Sequence, residues 1–155
     1  MNSAIERLLA LRVEDIMNKG MLTICESELM TSAAKLLYDH EVTGAPVVDA
    51  TGRCVGILSA SDFVGRDAEQ HPGQVLVRTG PDEPYRIETL NDNLVKSHMS
   101  TLVQTVSRQT TVMDAARLMC REHIHRLVVI DQEEQPVGIV SSLDIVAATV
   151  AAVEE

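Results

Sequence analysis

Residues 55–62 read VGILSASD and residues 137–144 read VGIVSSLD, with Val-Gly-Ile, Ser and Asp at the same places. The match extends outward, because a shift of 82 positions lays residues 13–64 on residues 95–146 without an insertion. Of these 52 aligned positions, 14 are identical, whereas roughly 3 are expected by chance at ordinary residue frequencies. The chain therefore contains two copies of one unit, and such a repeat decides the fold.

Each copy contains one amphipathic helical segment. Apolar residues recur at the spacing i, i+3, i+4, i+7 in both copies, as Met30, Ala33, Ala34 and Leu37 and as Val112, Ala115, Ala116 and Met119. We expect the alanines of both stripes, Ala33, Ala34, Ala115 and Ala116, to lie at close helix contacts, because small side chains let helices approach.

Short apolar runs predict the strands of each copy. The runs 45–48 and 127–130 end at Asp49 and Asp131, which open turns, and second runs at 54–58 and 136–140 complete β-hairpins. Further helices are expected to begin near Ser59 and Ser141. With a short strand before the amphipathic helix, each copy reads strand, helix, strand, strand, helix, so the fold class is α/β of the α+β type.

The repeat divides the chain into three parts. Residues 1–64 are the first unit with an N-terminal helix, residues 65–94 connect the units, and residues 95–155 are the second unit with a C-terminal helix. The sequence GRDAEQHPGQ at 65–74 predicts a surface loop, and Tyr85–Leu90 predicts an additional edge strand. The small apolar residues of 145–153 predict a helix that buries a face against the N-terminal helix or another subunit.

Composition excludes several classes of function. A net charge of −10 disfavours nucleic acid binding, and no apolar run approaches the length of a membrane span. The three cysteines form no CxxC pair, which argues against a disulfide framework or a zinc ribbon and favours the reducing cytoplasm. No P-loop, GxGxxG or GxSxG motif occurs, so we expect no enzyme activity.

The combined motifs identify a family. VEDIM at 13–17, PVVD at 46–49 and GILSASD at 56–62, with HRLVVID at 125–131 and GIVSSLD at 138–144, resemble the cystathionine β-synthase (CBS) domain family. The resemblance implies two βαββα repeats packed about a pseudo-twofold axis, an arrangement called a Bateman module. It also implies a cleft between the repeats for an adenosine-containing regulatory ligand: AMP, ADP, ATP or S-adenosylmethionine. No other cofactor is required.

Ser59-x-x-Asp62 and Ser141-x-x-Asp144 have two interpretations. Each is a capping box that satisfies the first N–H groups of a helix. Each could equally place a helix N-terminus near a phosphate and a carboxylate near the hydroxyls of a ribose. Recurrence after the same Gly-Ile run in both copies favours ligand contact.

His125 and Arg126 stand just before a strand, where adenylate-sensing CBS modules often carry a basic pair, and arginine suits phosphate oxygens. The first copy has Thr43 and Gly44 there, so we expect two unequal clefts, with Arg126 binding phosphate and Asp144 binding ribose. The cleft without a cation would suit an uncharged or sulfonium-bearing ligand or stay empty. The candidate ligand-binding residues are Thr23, Thr43, Gly44, Ala45, Pro46, Ser59, Asp62, Thr105, Val106, His125, Arg126, Leu127, Ser141 and Asp144.

Two smaller patterns have structural alternatives. Thr23 and Thr105 could contact adenine or simply reflect β-propensity. His123 and His125 form an H-x-H pair, but two ligands without a matching cysteine or carboxylate make a weak metal site, so no metal is expected.

Three functions remain open. The first is a regulatory sensor that binds an adenine nucleotide and signals to an unidentified protein as a homodimer. The second is a structural dimerisation module without a ligand, and the third is an enzyme acting on a nucleotide. Asp62, Asp144 and Arg126 favour the first over the second, and the missing catalytic motifs argue against the third.

Overall fold

Two copies of one chain path make up most of the structure, a computed structural model that describes residues 2–69, 74–78, 80–89, 93–101 and 104–154. The first half contains α1 (Asn2–Ala10), α2 (Val13–Ile16), β1 (Ile24–Cys25), α3 (Met30–Asp39), β2 (Gly44–Val48), β3 (Cys54–Ser59) and α4 (Ala60–Glu69). A hairpin of β4 (Gln74–Val77) and β5 (Arg86–Thr89) follows. The second half contains α5 (Val95–His98), β6 (Thr105–Val106), α6 (Val112–Glu122), β7 (Arg126–Ile130), β8 (Pro136–Ser141) and α7 (Ser142–Glu154).

The two halves have the same sheet. In the first, β2 pairs parallel with β1 and antiparallel with β3, and in the second β7 pairs in the same way with β6 and β8. The register shifts at equivalent places, between Val47 and Val48 and between Val129 and Ile130. The predicted α/β fold with two equivalent βαββα units is confirmed.

An aspartate closes each hairpin turn. Oδ1 of Asp49 accepts hydrogen bonds from the N–H groups of Thr51 and Arg53, at 2.8 and 3.1 Å. Oδ1 of Asp131 accepts from Glu133 and Gln135, at 2.9 and 3.0 Å. The hydroxyl of Thr51 also donates to Asp49 and lowers the pKa of that carboxyl. Such side-chain bonds to the following backbone explain why aspartate begins these turns.

The beginning of each sequence copy hydrogen-bonds to the sheet of the other copy. Asn18, after α2, exchanges two backbone hydrogen bonds with Ile139 of β8, at 2.9 and 3.1 Å. Ser100, after α5, exchanges two with Ile57 of β3, both 3.0 Å long. The two halves are therefore joined by reciprocal strand pairing.

The hydrophobic core of each half also contains residues from the other sequence copy. Val13 and Met17 belong to the apolar cluster around Leu127 and Val129, whereas Val95 belongs to the cluster around Ile24, Met30 and Val47. Each hydrophobic core is thus completed by residues that precede the other half's strands.

Several expectations need correction. Ala33 and Ala115 are fully buried, but Ala34 is exposed and Ala116 is only half-buried, so the four alanines do not share one kind of contact. The loop predicted at 65–74 is wrong in part, because α4 continues to Glu69 and β4 begins at Gln74; residues 70–73 lie outside the described part.

The predicted edge strand is present with a different partner. Strand β5 overlaps Tyr85–Leu90, although Leu90 lies outside the described residues, and it pairs with β4 in a separate two-stranded sheet. The C-terminal prediction is confirmed, since α7 packs against α1 and Nη2 of Arg7 donates to the carbonyl of Ala152 at 2.9 Å. None of the helices among the described residues has the length and apolar character needed to cross a membrane.

Candidate functional site

A cavity of about 350 Å³ lies where the last residues of β3 and the first turn of α4 face the start of β7. Its size falls in the range of about 300–1,000 Å³ that is usual for small-molecule sites. Both halves contribute to its wall, which consists of Ile57, Ser59, Ser61, Asp62, Ser100, Gln104, His123, Ile124, His125, Arg126 and Val128.

Asp62 supplies the carboxylate of this cavity. Its Oδ2 accepts hydrogen bonds from the backbone N–H of Ser59 at 2.7 Å and from the Ser59 hydroxyl at 3.3 Å. Within the described residues no donor lies on its Oδ1, which is therefore available to a ligand. The carboxylate is held in place by the first turn of α4 while one acceptor oxygen remains free.

Arg126 supplies the cation. It is the only arginine or lysine that the structure shows in the wall of this cavity. Its Nη2 donates to Oγ1 of Thr43, and no carboxylate among the described residues lies within ion-pair distance of it. Because a guanidinium has five N–H donors, most of its hydrogen-bonding capacity remains for an anion.

The second copy of the motif forms a complete capping box. The N–H of Ser141 donates to Oδ2 of Asp144 at 2.7 Å, and the N–H of Asp144 donates to Oγ of Ser141 at 3.2 Å. These reciprocal bonds satisfy the first donors of α7. The capping interpretation therefore describes Ser141 and Asp144 correctly, whatever further role they have.

The expected combination of Arg126 with Asp144 is not found in this cavity. The cavity that contains Arg126 has Asp62 as its carboxylate, and Ser141 and Asp144 do not line it. Ser59, Asp62, His125 and Arg126 are the predicted residues that it brings together. The reason is that the two halves face each other, so the motif of one copy meets the basic pair of the other.

The remaining predicted residues lie elsewhere. Thr105 and Val106 line a larger cavity of about 770 Å³ beside β6, and Thr23 lines a third of about 490 Å³ with Lys19 and Arg108. Thr43 and Gly44 lie beside Arg126, which donates a hydrogen bond to the hydroxyl of Thr43. Ala45, Pro46 and Leu127 are buried in the cores and line none of these cavities.

Several wall residues were not anticipated. Ser100 and Gln104 reach the cavity only because the segment after α5 pairs with β3, which the repeat pattern does not reveal. His123 ends α6 in the left-handed conformation, with φ 54°, and this turn directs the chain through Ile124 to His125. Ser61 could have been found from the sequence, since it lies inside the Ser59-x-x-Asp62 motif.

Metal binding and cysteine chemistry have little support in the described part of the chain. No group of three or more His, Cys, Asp or Glu side chains there is arranged to hold a metal ion. Cys25, Cys54 and Cys120 are free thiols, and burial raises the pKa of Cys54. The Cys54 thiol is therefore protonated at neutral pH and a poor nucleophile.

Comparisons with known proteins agree on one family. The model of the CBS domain matches the chain twice, at residues 13–69 and 95–151. The chain is 28% identical over 153 residues to an uncharacterised protein of Methanocaldococcus jannaschii, covering 89% of this chain and 90% of that protein. It is 27% identical over 132 residues to the gamma-3 subunit of 5′-AMP-activated protein kinase of Sus scrofa, covering 85% of this chain but only 24% of that subunit.

A solved structure shows the same architecture. The crystal structure of a CBS domain pair in complex with 5′-methylthioadenosine and S-adenosyl-L-methionine superposes with a TM-score of 0.72 and 25% sequence identity. The superposition covers 93% of this chain and 98% of that one.

Proposed function

The chain belongs to the CBS domain family as a tandem pair, and we propose that it is a regulatory module that binds an adenosine-containing ligand between its two halves. One observation carries the proposal: the carboxylate of Asp62 and the guanidinium of Arg126 line a single cavity of about 350 Å³. A carboxylate suits ribose hydroxyls, and a guanidinium suits phosphate oxygens. A similar CBS domain pair was solved in complex with 5′-methylthioadenosine and S-adenosyl-L-methionine, and another similar protein is a subunit of 5′-AMP-activated protein kinase.

The charge of the cavity favours a nucleotide. Arg126, with His125 beside it, attracts the phosphates of AMP, ADP or ATP and repels the sulfonium of S-adenosylmethionine. We therefore propose that the Asp62 cleft is the nucleotide site.

Signalling would follow from where the ligand sits. Asp62 comes from the first half and Arg126 from the second, so a ligand that contacts both ties the halves together. Helices α4 and α7 start beside these groups, at Ala60 and Ser142. A change in their relative position would be passed to a partner protein, which we propose to be the regulated target.

A thermal-shift screen tests the ligand class. We expect AMP, ADP or ATP to raise the melting temperature, since a ligand at 100 times its Kd stabilises the folded state by about 2.7 kcal/mol. Adenosine, S-adenosylmethionine and GMP serve as comparisons for the phosphate, the sulfonium and the base. If no adenosine compound shifts the melting temperature at millimolar concentration, the structural dimerisation module replaces the sensor.

We also propose a homodimer formed through α7. Leu143, Val146, Val150 and Val153 lie on one face of this helix and are 48% to 73% exposed. Val64 is the repeat counterpart of Val146 on α4 and is 68% exposed. Clustered exposed apolar side chains of this kind usually mark an interface, and a second copy of the same helix offers a matching apolar surface in a twofold dimer.

The dimer prediction has a matched control. Val146→Glu with Val150→Glu places two charges on this face, and we expect sedimentation velocity at micromolar concentration to shift from dimer to monomer. Tyr38→Glu adds a charge at another highly exposed apolar position, on α3, and is expected to leave the dimer intact. A wild-type protein that sediments as a monomer would contradict the proposal.

We propose that the protein is not an enzyme and that it works in a reducing compartment such as the cytoplasm. The first statement rests on the missing catalytic motifs and on the unreactive Cys54 thiol. The second rests on three free cysteines.

A further inference from the structure

One hydrogen bond crosses from the second half to the first at the edge of the nucleotide cavity. Nη2 of Arg126 donates to Oγ1 of Thr43, the residue immediately before β2. The next residue, Gly44, lies near the same side chain, and a Cβ built there would be in van der Waals contact with Nε of Arg126, at 3.6 Å. The bond to Thr43 thus holds the guanidinium in the conformation in which it lines the cavity with Asp62.

Thr43 is also tied to the helix that carries Asp62. Its carbonyl accepts a hydrogen bond from the N–H of Ala60, the first residue of α4, at 2.9 Å. One residue therefore connects the two groups of the proposed site, through its backbone to the carboxylate side and through its hydroxyl to the guanidinium. Thr43 thus joins the two sides of the proposed site.

We infer that Thr43 is a positioning residue, whose hydroxyl holds Arg126 ready for the phosphate of the ligand. The inference rests on the proposed function. An arginine side chain loses rotamer freedom when it binds an anion, and a side chain that is already held loses less. The bond to Thr43 uses one of the five donors of the guanidinium, so the others remain for phosphate oxygens.

Two substitutions separate the hydroxyl from the rest of the side chain. Thr43→Val removes the hydroxyl but keeps the β-branched shape and the backbone bond to Ala60. Thr43→Ser keeps the hydroxyl and removes the methyl group. The affinities of AMP and adenosine are measured for each by isothermal titration calorimetry, with thermal melts to show that the variants are equally folded.

The ratio of the AMP affinity to the adenosine affinity is the informative quantity. We expect Thr43→Val to lower this ratio about 2- to 12-fold, the range that corresponds to ordering one flexible side chain. The loss should fall on AMP, with adenosine affinity unchanged, and Thr43→Ser should behave as the wild type.

The outcomes that overturn the inference are distinct. If Thr43→Val leaves the ratio unchanged or raises it, the hydroxyl does not assist or competes with the phosphate, and the inference is wrong while the proposed function stands. If Thr43→Ser loses as much as Thr43→Val, packing of the methyl group is responsible and the inference is again wrong. If the wild type binds neither ligand at millimolar concentration, the proposed function fails and takes the inference with it.

Discussion

Asp62→Ala is expected to weaken AMP binding about 10- to 150-fold, which is the loss of a charged hydrogen bond worth about 1.5–3 kcal/mol. The carboxylate caps α4 through Oδ2 and leaves Oδ1 for the ribose. Since adenosine and AMP share the ribose, both ligands should lose affinity alike. Isothermal titration calorimetry with each ligand measures the effect.

The repeat supplies the matched control. Asp144→Ala removes the equivalent carboxylate and the equivalent cap, whose bond to Ser141 has the same 2.7 Å length as the bond between Asp62 and Ser59. Both variants are expected to lose about 1 kcal/mol of stability with the cap. Only Asp62→Ala should weaken the tightest AMP site. Equal losses of affinity in the two variants would mean that the ribose is not bound by Asp62 in particular.

Gly56→Ala is expected to lower the free energy of unfolding by about 1–3 kcal/mol, the usual effect of overfilling a packed region. Gly56 lies in β3 beside the segment that the other half contributes. A Cβ there would lie 2.9 Å from the backbone oxygen of Ser100 and 2.5 Å from Sδ of Met99. The methionine can move, but Ser100 is hydrogen-bonded to Ile57 and cannot move without breaking the strand pairing.

Alanine substitutions at two other glycines serve as controls for Gly56→Ala. At Gly138 the nearest backbone atom, the oxygen of Asn18, would be 3.2 Å from the new Cβ, so Gly138→Ala should destabilise less. Gly65 lies within α4 with nothing within 4 Å, and Gly65→Ala should stabilise the protein by about 0.5–1 kcal/mol through helix propensity. Urea unfolding measures all three. A Gly56→Ala variant as stable as Gly65→Ala would contradict the close packing between the halves.

Much of the fold could be predicted because it is local. The runs that form β2 and β3 are apolar, and Asp49 stands between them and closes the turn with its own side chain, so a short sequence contains the whole cause. The same holds for α3 and α6, where helical spacing places Ala33 and Ala115 in the cores. The repeat shows that Gly56 and Gly138 are equivalent glycines. The atoms that leave no room for a side chain there belong to the distant segments around Ser100 and Asn18.

The candidate site was harder to predict because it is assembled from both halves. Arg126 and Asp144 belong to the same sequence copy, so the sequence alone favours their acting together. In the structure, the segments after α2 and α5 join the two halves, and Arg126 lines one cavity with Asp62 of the other copy. Ala45, Pro46 and Leu127 lie beside candidate binding residues in the sequence, but they are apolar strand residues and the structure buries them.

The most direct test of the proposed function is a crystal structure of the protein grown with AMP. The ribose hydroxyls are expected within hydrogen-bond distance of Oδ1 of Asp62, and the phosphate is expected against the guanidinium of Arg126, with contacts to both halves. Nucleotide density in either cavity lined by Arg108, or beside Asp144 without contact to Asp62, would contradict the account. A structure without nucleotide density at millimolar AMP would contradict it as well.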